Sequence, residues 1–193
     1  MTTIAILLFP DVEELDFAGP WEVFREAQSE DPTFDVFTVA ERLDPITCAK
    51  GLRVLPDETW ETAPSLDVLV YPGGRGTRKE LADDAVLDWV RGIAASGAVV
   101  SSVCTGSLVL AAAGLLDGRP ATTHWSSLEL LPTLGREIEV RPDDRFVDTG
   151  DVVTAAGVSA GIDMALHLVA RLHSPERASE VRRYIQYDPE PPV

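Results

Sequence analysis

Residues 98–116, AVVSSVCTGSLVLAAAGLL, carry an apolar, β-branched run into a stretch of small and apolar residues by way of Cys104-Thr105-Gly106. Ala98–Val103 has the length and composition of a buried strand, and Thr105–Leu116 reads as a helix. Upstream, Val68–Tyr71 (VLVY) is a second buried strand running into Pro72-Gly73-Gly74. A helix near Asp84–Ser96 separates the two, with Val86, Leu87, Val90 and Ile93 on one face and Gly97 closing it.

The same alternation extends to both ends. Ile4–Phe9 (IAILLF) is a continuous apolar run stopped by Pro10-Asp11, as expected of a strand covered on both faces. Glu13–Ala27 has helical spacing through Leu15, Trp21, Val23 and Phe24, with Gly19-Pro20 marking where its main helix begins. Phe34–Ala40 reads as a strand, and Ile46–Leu55 as a hairpin off the sheet. Further on, Ile138–Val140, Phe146-Val147 and Val152–Ala155 read as short strands, and Val158–Leu172 and Pro175–Tyr187 as helices. The proline-rich Asp188–Val193 reads as an extended tail. Strands alternating with helices predict an α/β fold with a mostly parallel central sheet and helices on both faces, in one domain over 1–193. Ligands in such folds bind at the carboxyl ends of strands, which here selects Pro10–Asp16, Pro72–Gly76 and Cys104–Ser107.

Charge limits the partners. Thirty-two acidic against 16 basic residues give a net charge of −16 over 193 residues. Such a surface repels phosphate backbones and anionic lipid, so the expectation is a small-molecule substrate, with no nucleic acid and no membrane partner. No segment approaches the roughly 18 apolar residues needed to span a bilayer, and no charged region precedes the first apolar run. Two cysteines, Cys48 and Cys104, exclude a disulfide framework and suit a reducing, cytoplasmic location. No paired Cys or His spacing predicts a metal site, and no glycine-rich phosphate loop predicts a nucleotide, so no cofactor is expected.

Cys104 is the candidate nucleophile. A strand-to-helix turn exposes a side chain at the top of a sheet, and a helix N-terminus favours thiolate over thiol. Most free cysteines are instead buried and structural, the reading given to Cys48. Asp16 falls at the same sheet edge, where a carboxyl group can move a proton to or from the sulfur, although an acidic residue opening a helix is more often a dipole partner. Gly73 and Gly74 can bring backbone N–H groups close to a ligand, and with the Thr105 amide they would form an oxyanion site; a plain turn is the simpler account of the pair. His124, in Thr122-Thr123-His124-Trp125, is the histidine best placed to join them, or to serve as a cap.

Four blocks occur in order along the chain: residues 8–20 (LFPDVEELDFAGP), Tyr71-Pro72-Gly73-Gly74, Ser102-Val103-Cys104-Thr105-Gly106-Ser107, and Ala121-Thr122-Thr123-His124-Trp125. Together they resemble the ThiJ/PfpI superfamily of class I glutamine-amidotransferase-like domains, and within it the isonitrile (isocyanide) hydratases, which place an aspartate where many members have a glutamate. The resemblance implies a flavodoxin-like three-layer sandwich, a homodimer, and Cys104 as nucleophile with Asp16 as acid/base partner. It implies hydration of an isonitrile to an N-substituted formamide through a covalent thioimidate. Glyoxalase- or deglycase-like action on methylglyoxal-type carbonyls is the alternative enzyme reading. A sensor of ligand or of oxidation through the cysteine is the non-enzymatic one. The protease-like members have histidine after the cysteine, where this chain has Thr105.

Overall fold

The computed structural model describes residues 1–29 and 32–189. Strand β1 (Thr2–Leu7) leads into helix α1 (Glu14–Ser29) and strand β2 (Phe34–Ala40). Two short strands, β3 (Ile46–Thr47) and β4 (Arg53–Val54), pair antiparallel outside the main sheet as the expected hairpin. Then come β5 (Glu58–Thr59), β6 (Val68–Tyr71), the short helix α2 (Thr77–Glu80), α3 (Asp84–Ala95), β7 (Val99–Val103) and α4 (Gly106–Ala112). The chain continues through β8 (Pro120–Ala121), β9 (Glu139–Val140), β10 (Phe146–Asp148) and β11 (Val152–Ala155), and ends in α5 (Ala160–Leu172) and α6 (Pro175–Tyr184).

The main sheet has seven strands in the order β10-β11-β7-β6-β1-β2-β5. All neighbours are parallel except β10, which pairs antiparallel with β11. Helices α1, α5 and α6 pack together, and α2 and α3 pack against α4, which gives the flavodoxin-like α/β sandwich. β1, β6 and β7 are covered on both sides, and Ile4, Ile6, Val68, Val70, Val100 and Val103 lose all contact with solvent. From β1 the chain goes to β2 on one side and to β6 on the other, so the strand order reverses there. The loops after β1, β6 and β7 therefore converge at one edge, the place where doubly wound sheets open a crevice.

Strand β1 is shifted two residues toward the N-terminus of the expected Ile4–Phe9, and α6 ends at Tyr184, short of Tyr187. Three further helix boundaries differ from the sequence reading, each for a local physical reason. Helix α1 starts at Glu14 and runs through Pro20 instead of beginning there. Its buried face (Asp16, Phe17, Gly19, Pro20, Val23, Phe24, Ala27) packs on the core, with Gly19 close against Ile162, and this packing outweighs the hydrogen bond proline cannot make. Helix α4 stops at Ala112, because Gly114 turns left-handed (φ 79°). Helix α5 starts at Ala160, since Val158 also has a positive φ (49°). The short β5 and α2 carry too little periodicity to be read from sequence. Of the expected extended tail, 190–193 lies outside the described residues.

Gly106 sets how closely α4 approaches the end of β6. A Cβ there would lie 2.2 Å from the Tyr71 carbonyl oxygen and 2.8 Å from that of Pro72, both backbone atoms. Gly106→Ala must push the Cys104 turn away from β6, and it is expected to cost about 2–3 kcal/mol in urea denaturation.

Candidate active site

Strand β7 delivers Val103 to the sheet edge, and the next residue breaks the strand: Cys104 has φ 56°. A left-handed conformation costs a non-glycine residue roughly 1–2 kcal/mol, so something must hold it. Its N–H donates to the carbonyls of Ala155 (3.1 Å) and Ala156 (3.0 Å) at the end of β11. Its carbonyl accepts from the hydroxyls of Ser107 (3.0 Å) and Thr123 (3.0 Å). Ser107 lies in α4, and Thr123 belongs to the Thr-Thr-His-Trp block, whose role at the turn is thus a hydroxyl clamp. The side chain is 6% exposed.

Asp16 comes from the first turn of α1 and has no solvent exposure. Its Oδ2 accepts the Gly73 N–H at 2.9 Å. A Cβ on Gly73 would fall 2.5 Å from the Thr105 nitrogen and 2.8 Å from that same Oδ2, so glycine is what lets the three strand ends meet. Oδ1 has no hydrogen-bond partner among the described residues. Burial pushes the Asp16 carboxyl up to about 7, against the Gly73 N–H and the neighbouring Cys104 thiol, which pull it down. Burial, and then the Asp16 charge, push the thiol up to about 12, against the N–H groups of Thr105 and Val158.

This reverses the sequence expectation of a thiolate stabilised by a helix N-terminus. Two amides do favour the anion, but α4 is only seven residues long, and a buried carboxyl beside the sulfur outweighs them. At neutral pH the proton rests on sulfur while the carboxyl titrates.

Gly73 and Gly74 are positioned at the site, but their amides are already engaged. Gly73 donates to Asp16, and Gly74 donates to the Thr105 hydroxyl at 3.0 Å. Thr77, fully buried, donates its hydroxyl to the Gly74 carbonyl (2.8 Å) and lies 3.2 Å from the Thr105 hydroxyl. Gly74 needs its positive φ of 125°, and a Cβ would lie 2.5 Å from the Asp11 carbonyl oxygen. The donors that act on the sulfur are those of Thr105 and Val158. Sequence reasoning missed Val158, because only the left-handed turn before α5 aims its amide at Cys104.

A cavity of about 320 Å³ opens over the sulfur, lined by Glu13, Gly74, Arg75, Arg78, Cys104, Thr105, His124 and Val158. His124 caps the 3₁₀ turn 125–127, accepting the Ser126 N–H on Nδ1 at 3.3 Å. Gly157 admits its ring, since a Cβ there would meet the imidazole at 2.4 Å. Burial, and then Arg78, lower its pKa, so the ring is neutral at pH 7. Cys48 is buried at the start of the hairpin turn, away from this cavity's lining. Among the described residues there is no cluster of three or more metal-ligating side chains, and no helix long and apolar enough to cross a membrane.

The DJ-1/PfpI family model matches residues 2–171. The chain is 45% identical over 189 residues to an isonitrile hydratase of Pseudomonas putida, covering 98% of this chain and 80% of that enzyme. It is 33% identical over 137 residues to the HTH-type transcriptional regulator CdhR of Pseudomonas aeruginosa, of which those residues span 40%. The crystal structure of a ThiJ/PfpI family protein from Pseudomonas syringae superposes with a TM-score of 0.90 at 36% identity, covering 100% of this chain and 77% of that one.

The raised Asp16 pKa has a consequence for stability. The unfolded carboxyl ionises near 3.8 and the folded one near 7, so the folded state holds the extra proton between these values and stability falls as pH rises through that window. Asp16→Asn keeps an acceptor for Gly73 and removes the buried charge. It is expected to raise stability by on the order of 2–4 kcal/mol at pH 8, with the gain vanishing near pH 4, as read by denaturant unfolding across pH.

Proposed function

The chain belongs to the DJ-1/PfpI family, and from that premise we propose that it hydrates an isonitrile to the N-substituted formamide, with Cys104 as nucleophile and Asp16 as acid and base. The observation that carries this reading is the fully buried carboxyl beside a buried thiol on a left-handed turn, in a chain 45% identical to an isonitrile hydratase.

The distribution of protons suits addition to a terminal carbon. An isonitrile, R–N≡C, must gain a sulfur and a proton at the same atom. As the sulfur attacks, the Asp16 carboxylate takes the thiol proton, and the S–C bond forms. The resulting carboxylic acid returns that proton to the carbon, leaving the thioimidate R–N=CH–S–Cys104 with no net proton change. Water then adds to the carbon. The carboxylate takes one of its protons and passes it to nitrogen as the C–S bond breaks. The second water proton ends on the departing sulfur, which restores the thiol and releases R–NH–CHO. The amides of Thr105 and Val158 stabilise sulfur while it carries negative charge. The Gly74 amide, which donates to the Thr105 hydroxyl, acts by fixing Thr105. The neutral His124 and the Val158 turn bound the space for the R group.

An oxidation sensor would need an accessible cysteine of low pKa. A thiol 6% exposed and pushed up to about 12 argues against that reading.

The test is incubation with a simple alkyl isonitrile and, separately, with methylglyoxal, following formamide and lactate. Formamide is expected, falling about 10³-fold or more in Cys104→Ser and about 10²–10⁴-fold in Asp16→Asn. Since the first step needs the carboxylate, kcat/KM should rise with pH through about 7, the Asp16 value, and lose that limb in Asp16→Asn. Lactate without formamide, or turnover of neither compound, would overturn the proposal.

A further inference from the structure

A second cavity, of about 370 Å³, lies at the carboxyl ends of β1 and β2 and shares no lining residue with the one over Cys104. Its volume falls in the range of small-molecule pockets, roughly 300–1,000 Å³, and its place beside the strand-order reversal is where such folds bind ligands. The wall is largely apolar and aromatic: Leu8, Phe9, Ile46, Trp60 and Val86. Trp60 stacks on Trp89 with ring centroids 5.0 Å apart, and Phe9 packs on the fully buried Tyr71 at 5.7 Å, so both cavity-wall rings are held in place.

The polar groups in the lining are almost all of one sign. Four carboxylates, Glu41, Asp44, Glu80 and Asp83, line the cavity with one guanidinium, Arg42, which pairs with Glu41 at 3.7 Å where both side chains are exposed. Glu80 is the group best placed to read a charge. It is half-buried, and its Oε2 is anchored by the Tyr71 hydroxyl at 3.1 Å. Burial raises its pKa, and the Tyr71 hydroxyl offsets this only in part; Asp83 and Glu41 push it further up, and Lys79 on the same helix pulls it down least. A carboxyl in that setting gains from a cation brought next to it, while an anion entering the cavity meets four carboxylates. Aromatic faces favour the same sign of ligand.

We propose that this cavity binds a small organic cation, an ammonium carrying an aromatic or branched alkyl arm, with the arm against Phe9, Ile46, Trp60 and Val86 and the charge at Glu80. The site stands apart from the chemistry at Cys104: of the residues in α2, Arg78 lines one cavity and Glu80 the other.

Isothermal titration calorimetry with 2-phenylethylammonium tests this, with 2-phenylethanol and 3-phenylpropanoate as neutral and anionic matches. The ammonium is expected to bind one per chain, about tenfold or more tighter than the alcohol, with the carboxylate not binding. Glu80→Gln, which retains an acceptor for Tyr71, should weaken the ammonium about tenfold and leave the alcohol unchanged. Asp44→Asn, on the exposed rim, should weaken it less and without risk to the fold. Cys104→Ser should bind as the wild type does, whatever the outcome with isonitriles. Equal affinity for ammonium and alcohol, absence of binding at millimolar ligand, or loss of binding in Cys104→Ser would each overturn the proposal.

Discussion

One residue held in a conformation it would not choose organises the site. Cys104 is left-handed because its N–H is taken by two carbonyls from β11 and its carbonyl by hydroxyls from α4 and the Thr122–Trp125 block. Four hydrogen bonds from three parts of the chain offset the cost of that backbone, and together they fix where the sulfur lies. The glycines around it answer the same demand for close approach. Gly73, Gly74 and Gly106 each stand where a Cβ would meet backbone atoms closer than 3.0 Å. Neighbouring loops can therefore meet at the turn only as bare main chain.

The second determinant is burial. Asp16 has no exposed surface, and the single N–H from Gly73 does not compensate for its desolvation, so its pKa moves towards 7. The sulfur moves in the same direction for the same reason, made worse by the carboxylate beside it. The pair thus shares its protons differently from a thiolate activated in advance. The carboxyl is poised near neutrality, and the thiol holds its proton. A proton held between the two groups is what an addition delivering both a nucleophile and a proton to one carbon requires.

Much of the architecture was legible because buried parallel strands write themselves as apolar runs. Phe34–Ala40, Val68–Tyr71 and Val152–Ala155 are observed as read. The limits of α1, α4 and α5 were not, since they depend on packing through Pro20 and on positive φ at Gly114 and Val158. Two-residue strands such as β5 have no period to detect and exist only through their neighbours.

The placement of Cys104, Asp16, Gly73, Gly74 and Thr105 at one sheet edge followed from the sequence, because strand ends in a doubly wound fold converge there and each residue lies just past a strand or opens the next element. His124 lay outside the segments so selected, and only the fold brings it to the cavity. What each group does there was decided only by the tertiary structure. Gly73 and Gly74 give their amides to Asp16 and Thr105, Val158 supplies an amide for which the sequence suggested no role, and the cysteine expected to be acidic is the opposite. The physical reason is that spacing along a chain fixes which residues share an edge. Burial and three-dimensional contact fix where their hydrogen bonds and protons go.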